Sequence, residues 1–415
     1  MHEATTAQLG AAYPAMASRP LPAAKVVVGR DLLGGLFAHD PFELYEAGAV
    51  SNPNLVVFGQ IGRGKSAFVK SYLYRHAAFG RRVVVLDPKG EYGPLAEALG
   101  ACRVRLSPGG TARLNPLEVA GGTGEDVGRQ RLAALGALAA ACCDRPLRPV
   151  EHAALELALG SLAPGPGAPT LGQVVEALLF PDPRAARTIG CSAEALREGA
   201  LEVALELRRL TAGELRGMFD GQTAAGVDLA ADAVVLDLSA VYDSPALGAL
   251  MTCAALALGA AWRRAGGQTL FVVDEAWAIL SNLGAARFLQ ASFKLARANG
   301  VANLAVVHRV SDLAAAGAEG SVAARLAEGL LADCETVVCY GLSRAELVRA
   351  APLLGLDERQ AYLLAGLARG VALWRVAGRT FLVEHRLAPG ERSLVDTDAR
   401  LVGRLAPAPA ARPVR

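Results

Sequence analysis

Net charge, paired thiols and long apolar runs are all scarce in this 415-residue chain, and each scarcity removes a class of protein. The 42 Lys and Arg residues nearly cancel the 40 Asp and Glu, leaving +2. A dedicated nucleic-acid-binding domain is usually more basic, so only a local patch is left open. The seven cysteines (Cys102, Cys142, Cys143, Cys191, Cys253, Cys334, Cys339) contain no C-x-x-C pair. No histidine lies near them at metal-ligand spacing, so the default is buried thiols in a reducing compartment. The segment Met1 to Pro20 lacks a basic stretch followed by an apolar core, which excludes a signal peptide. One uncharged segment, Ala246 to Trp262, is about 17 residues long, short for a bilayer, and contains Thr252 and Cys253; it reads as a core helix. Aromatic residues make up 5% and lysines number five, with arginine far commoner, the imprint of a GC-rich coding sequence. The chain reads as soluble and cytoplasmic.

Against this background one stretch stands out. Gly59-Gln60-Ile61-Gly62-Arg63-Gly64-Lys65-Ser66 fits G-x-x-x-x-G-K-[ST] at every fixed position. It follows the apolar run Leu55-Val56-Val57-Phe58 and precedes a helical segment opening at Ala67, the strand–loop–helix order that a phosphate-binding loop needs. Glycines let successive backbone N–H groups turn inward around a β-phosphate, and the helix N-terminus adds partial positive charge. Lys65 can reach the β- and γ-phosphates, and the Ser66 hydroxyl can ligate Mg²⁺. The competing reading is a glycine turn ahead of an ordinary helix.

The pattern along the chain argues for an α/β architecture: a RecA-like P-loop ATPase with a mostly parallel sheet flanked by helices, a helical insertion and a C-terminal β-hairpin. Residues 1–24 form a loose leader rich in Ala and Pro. Residues 25–126 hold the first part of the core, including the buried-type strand Arg82–Asp87. From 127 to 218 the strand signal nearly vanishes and helical periodicity dominates. Residues 219–402 complete the core, with strand signals at 233–238, 270–273, 303–307 and 336–340. Helices at 245–263, 284–299 and 344–352 separate them. Val371–Val376, Ala377-Gly378 and Arg379–Val383 read as a hairpin. Residues 403–415, proline-rich and without acids, form a disordered tail.

Hydrolysis needs a carboxylate for Mg²⁺ and a group to orient water. Leu270-Phe271-Val272-Val273-Asp274-Glu275 offers both at the C-terminal end of a strand, where ligands bind in open α/β sheets. Asp274 would hold Mg²⁺ and Glu275 would polarise the attacking water; an acidic helix cap is the alternative. Glutamate directly after aspartate resembles the P-loop ATPases with an extra strand between the P-loop strand and the Asp-Glu strand. No N-K-x-D guanine-reading motif is present, which favours ATP over GTP.

Four stretches together resemble one family: Ser51-Asn52-Pro53-Asn54, Leu86-Asp87-Pro88-Lys89-Gly90-Glu91-Tyr92, Leu114-Asn115-Pro116-Leu117 and Val272-Val273-Asp274-Glu275-Ala276-Trp277. The chain from about 40 to 400 is similar to the motor domain of the conjugative type IV secretion ATPases (VirB-type and TraC-like) of the FtsK–HerA superfamily. The resemblance implies a homo-oligomer, a hexameric ring with ATP at subunit interfaces. It also implies partners among secretion and conjugation channel components, with DNA left open, and a place at the inner face of the plasma membrane. Asp87 and Glu91 would lie near the nucleotide. Arg297 is the candidate trans-acting arginine, against a surface arginine on an amphipathic helix. Relatives usually end the next strand with a polar sensor, commonly Gln; here Val306-Val307 is followed by His308, which can donate to phosphate or water. A buried or capping histidine is the alternative. About fifty residues precede the P-loop, fewer than the docking domain that such motors usually carry, so docking is expected from another chain or the motor serves another use. Two rival readings remain: a HerA-like DNA translocase, and an ATP-binding scaffold with little hydrolysis.

Overall fold

Runs of branched apolar residues with no polar alternation belong between two layers of helix. In the computed structural model, which describes residues 19–119, 124–162, 167–280, 282–308 and 322–395, these runs form the centre of one sheet. The expected tail, with Arg400, Arg404, Arg412 and Arg415, and most of the expected leader lie outside the described residues.

The strands are β1 (Val27–Asp31), β2 (Leu36–Ala38), β3 (Leu55–Phe58), β4 (Arg82–Asp87), β5 (Cys102–Arg105), β6 (Ala233–Asp237), β7 (Thr269–Val273), β8 (Val301–Val307), β9 (Thr336–Tyr340), β10 (Val371–Val376) and β11 (Arg379–His385). They form an 11-stranded sheet in the order β2-β1-β11-β10-β9-β3-β8-β7-β4-β6-β5. From β9 to β5 every pairing is parallel. On the far side of β9 the hairpin β10–β11 and the pair β1–β2 add four antiparallel strands. The hairpin turns through Ala377 and Gly378, both at positive φ (48° and 77°), the backbone of a two-residue type I′ turn.

Alternate residues of each central strand enter opposite cores. Val56, Phe58, Val84 and Leu86 join one cluster; Leu55, Val57, Val83 and Val85 join the other, under Phe68, Tyr72 and Leu73 of the helix Lys65–Ala78. The first cluster is the larger because it absorbs the helical insertion. Helices Gly124–Cys143, Pro149–Ser161, Leu171–Leu179, Pro183–Thr188 and Ala193–Thr211 share it with Leu247–Ala265 and Leu283–Lys294. The uncharged segment weighed above as a membrane span is this core helix: Leu250, Met251, Cys253, Ala254 and Leu258 are fully buried. Among the described residues, no helix is long and apolar enough to cross a membrane.

The expected helix 284–299 is in fact two. Leu283–Lys294 closes at Leu295, and Ala296–Asn299 is a separate turn ended by Gly300 in the left-handed region. The first of these crosses Gly124–Cys143 at Gly284, where a Cβ would collide with the backbone of Ala140 and Ala141. Gly284→Ala is therefore expected to lower the unfolding free energy by about 1–3 kcal/mol, the usual scale of overpacking, read by denaturant titration. An unchanged midpoint would mean the two helices separate freely.

Candidate nucleotide site

The parallel pairings put the C-terminal ends of β3, β8, β7 and β4 on one edge, with Phe58 beside Val307, Val273 beside Ala305, and Leu86 beside Val273. Gly59, His308 and Asp274 each follow one of those ends, and Asp87 is the last residue of β4. β8 lies between β3 and β7, so one strand separates the P-loop strand from the Asp-Glu strand, as the sequence implied.

The loop Gly59–Gly64 leaves β3 through Gly59 at φ 144°, where a Cβ would overlap Tyr340, and enters the helix through Gly64 at φ 107°. Both conformations suit glycine. The loop is tied from behind. Gln60 N–H donates to the Gly341 carbonyl (3.3 Å), Gly370 N–H to the Arg63 carbonyl (3.0 Å), and the Arg63 guanidinium to the Leu367 carbonyl (3.4 Å). Ile61 is exposed, while Ser66 and Ala67 are half-buried at the start of the helix. The Lys65 ammonium is buried and donates to the carbonyls of Gly59 and, at 3.0 Å, Gln60. Burial lowers its pKa to about 8, against an upward pull from Asp274 and Glu275. That pull shows the lysine and both carboxylates sharing one electrostatic neighbourhood.

Asp274 and Glu275 are both buried. One Asp274 oxygen accepts the Glu275 N–H at 2.9 Å. Burial first, then the neighbouring Glu275 charge, pushes the Asp274 carboxyl upward. Such a carboxylate favours a cation beside it. Among the described residues no group of three or more His, Cys, Asp and Glu could hold a metal ion. The oxygen donors Ser66 and Asp274 instead suit Mg²⁺, which commonly takes one or two protein oxygens and completes its shell with phosphate and water.

Glu275 adopts φ 52°, a left-handed backbone uncommon for a residue with a Cβ and frequent at functional sites. Its side chain is held by three donors from three segments. The His308 Nε2 and the Lys89 ammonium both contact Oε1, and the Trp277 indole N–H donates to Oε2. Burial alone would raise the Glu275 carboxyl, but the hydrogen bonds from His308 and Lys89 outweigh it and hold the pKa at about 2. His308 thus lies within the site, half-buried, with Lys89 Nζ 3.1 Å from its Nε2. Neither Lys89 nor Trp277 was singled out from sequence. Both sit inside the quoted motifs, and the motif was the only signal that could have found them.

Asp87 ends β4 at the same sheet edge and braces the turn that follows. Its Oδ1 accepts N–H groups from Gly90 (2.8 Å) and Glu91 (3.1 Å), and its Oδ2 accepts Tyr92 N–H (2.9 Å). Both oxygens therefore build the turn after β4. Burial raises this carboxyl to about 6, despite those hydrogen bonds. Beneath the turn, Lys70 is fully buried, with no hydrogen-bond partner among the described residues, 5.4 Å from the Tyr92 ring centre. Burial lowers its pKa, and Glu91, Asp87 and Asp274 draw it back up. Two other family-like stretches are structural joints. Asn54 bridges the carbonyls of Phe293 and Asp333 and accepts from Asn303; Asn115 reaches the Pro169 carbonyl and Gln222. Arg297 is not brought to the site. It is exposed on the turn that precedes β8, at the opposite end of the sheet.

A P-loop after β3, an Asp-Glu pair after β7 and a single strand between them define the fold of the P-loop ATPases. Residues 51–127 match the family described as Helicase HerA, central domain. Among solved structures, VirB4 of Thermoanaerobacter pseudethanolicus is similar at 23% identity and TM-score 0.73, over 89% of this chain and 98% of that one. The bacterial conjugative coupling protein TrwBdeltaN70, unbound, is similar at 15% identity and TM-score 0.59, over 88% of each chain. The plasmid coupling protein TrwB in complex with the ATP analogue ADPNP gives 15% and 0.60, over 88% and 90%. No curated protein matches the sequence. The fold expected from the resemblance is thus the one found, and residues 51–127 carry a segment of the HerA central-domain type.

Proposed function

We propose that this chain is the ATP-hydrolysing motor of a conjugation or type IV secretion apparatus. One observation carries the reading: Lys65, Asp274, Glu275 and His308 meet at one edge of a sheet whose architecture is that of VirB4 and TrwB. In it the P-loop, Gly59 to Ala67, cradles the phosphates of ATP and Lys65 shifts from loop carbonyls to the β- and γ-phosphates. Ser66 and Asp274 would hold Mg²⁺, which would neutralise charge on the phosphates. Glu275 orients and polarises the attacking water, and His308 donates near the γ-phosphate. Arg297 is exposed and far from its own P-loop, so its catalytic use requires a neighbouring subunit in a ring. Secretion-channel proteins are the proposed partners, at the cytoplasmic face of the membrane.

A second reading, a HerA-like DNA translocase, is favoured by the match of residues 51–127 to the HerA helicase central domain. Steady-state ATP hydrolysis with and without double-stranded DNA separates the two. A motor working on protein partners keeps its turnover within about twofold when DNA is added. Marked stimulation by DNA would transfer the assignment to the translocase, and absence of turnover under both conditions would remove both.

A further inference from the structure

Lys89 is one of five lysines in the chain and belongs to neither the P-loop nor the Asp-Glu pair, yet its ammonium touches Glu275. Its position is fixed from behind. Asp87 collects three N–H groups of the turn, and Gly90 passes through φ 72° where a Cβ would press on Ser239 Oγ at 3.0 Å. The side chain leaves this frame across the sheet edge, 5.9 Å from the Tyr242 ring centre, and ends on Glu275 Oε1 beside His308.

Both carboxylate oxygens have a donor without this contact. Trp277 donates to Oε2 and His308 contacts Oε1, so a third donor is more than the hydrogen-bonding need of the buried carboxylate alone asks for. What the third donor adds is direction. Trp277 and His308 pin one oxygen each, while a second donor on Oε1 removes the remaining freedom about the carboxylate axis. A group that must align water on a phosphorus loses rate steeply when its orientation drifts.

We propose that Lys89 is a positioning residue for Glu275, fixing the direction in which the carboxylate presents itself to water, with Asp87 as the buried frame of the turn that carries it. This rests on the reading of Glu275 as the water-orienting residue. The test uses the full chain and compares Lys89→Met and Lys89→Arg by kcat, KM for ATP, binding of a fluorescent ATP analogue and thermal melting. Lys89→Met is expected to lower kcat about tenfold or more, with KM and analogue affinity within about twofold of wild type, and Lys89→Arg to restore most of the loss. A lysine that merely braces the fold would move melting temperature and not the split between kcat and KM. Should Lys89→Met melt below the assay temperature, Lys89→Gln against Lys89→Arg makes the same comparison. Wild-type kcat in the Met variant overturns the proposal, and so does a loss carried by KM and analogue affinity, which would place Lys89 on the nucleotide. A wild-type chain without turnover overturns the Glu275 reading itself, a separate failure.

Discussion

A Glu275→Gln chain binds ATP as tightly as the wild type and hydrolyses it at least about a hundredfold more slowly. The amide keeps the shape of the side chain and an oxygen that accepts from Lys89 and His308. It loses the negative charge and the basicity that polarise water. Binding rests on Gly59–Gly64, Lys65 and the helix N-terminus, none of which the substitution touches. Turnover and equilibrium binding of a fluorescent ATP analogue, measured on one preparation, decide the matter. Unchanged turnover would remove Glu275 from catalysis, and a parallel fall in affinity would place it in binding. The scaffold reading makes a different forecast: a wild type already as slow as the variant.

The second large effect concerns stability in mild acid. His76, on the P-loop helix, and His39 and His385, packed against it, line its buried side. His39 joins Tyr72 (2.8 Å) and Thr336 (3.2 Å), His385 joins Ser71 (2.8 Å), and His76 packs its ring 4.3 Å from that of Tyr72, neither nitrogen having a hydrogen-bond partner among the described residues. Burial lowers His39 to about 3, His76 to about 3 and His385 to about 4, from an ordinary value of 6.5. The folded state therefore keeps all three neutral, while the unfolded chain takes up protons as pH falls through about 6.5. Their stabilising contribution is complete above that pH and is lost progressively down to about pH 3–4. At about pH 5 each histidine removes about 2 kcal/mol, and the three roughly 6, a large part of the ~5–15 kcal/mol typical of a folded domain. Calorimetric melting between neutral pH and about pH 5 should show a steep fall in Tm, and His76→Phe should recover roughly a third of it. A Tm that stays level across that range would mean these rings take up protons without unfolding.

What could be read in advance divides along physical lines. The P-loop was legible because its glycines answer to local backbone geometry: Gly59 and Gly64 sit at φ values that other residues avoid. The central strands were legible because their apolar runs are continuous. The Arg82–Asp87, Thr269–Val273 and Val301–Val307 strands are each buried along almost their whole length. β2 and β5 escaped notice for the opposite reason, being three and four residues long, with β5 alternating charged and apolar side chains at a sheet edge. The joining of β1 to β11 across more than three hundred residues has no local signature at all. The same limit explains the site. Asp274 and Glu275 announce themselves as adjacent carboxylates after a strand, whereas the Lys89 contact exists only because β4 and β7 are neighbours. The turn-building contacts of Asp87 were hidden because a carboxylate at a strand end looks alike in sequence whether it faces a ligand or its own turn.

The joint at Gly284 has a mechanical consequence. Asn282 donates to the Ala141 carbonyl at 2.7 Å, and Leu283 N–H donates to Asp144 at 2.8 Å, just ahead of the point where the two helices touch backbone to backbone. Close-packed interiors transmit displacement rather than absorb it. A displacement of the helical block is thus delivered to a point seven to nine residues along the chain from Glu275, by packing alone and without any hinge between them.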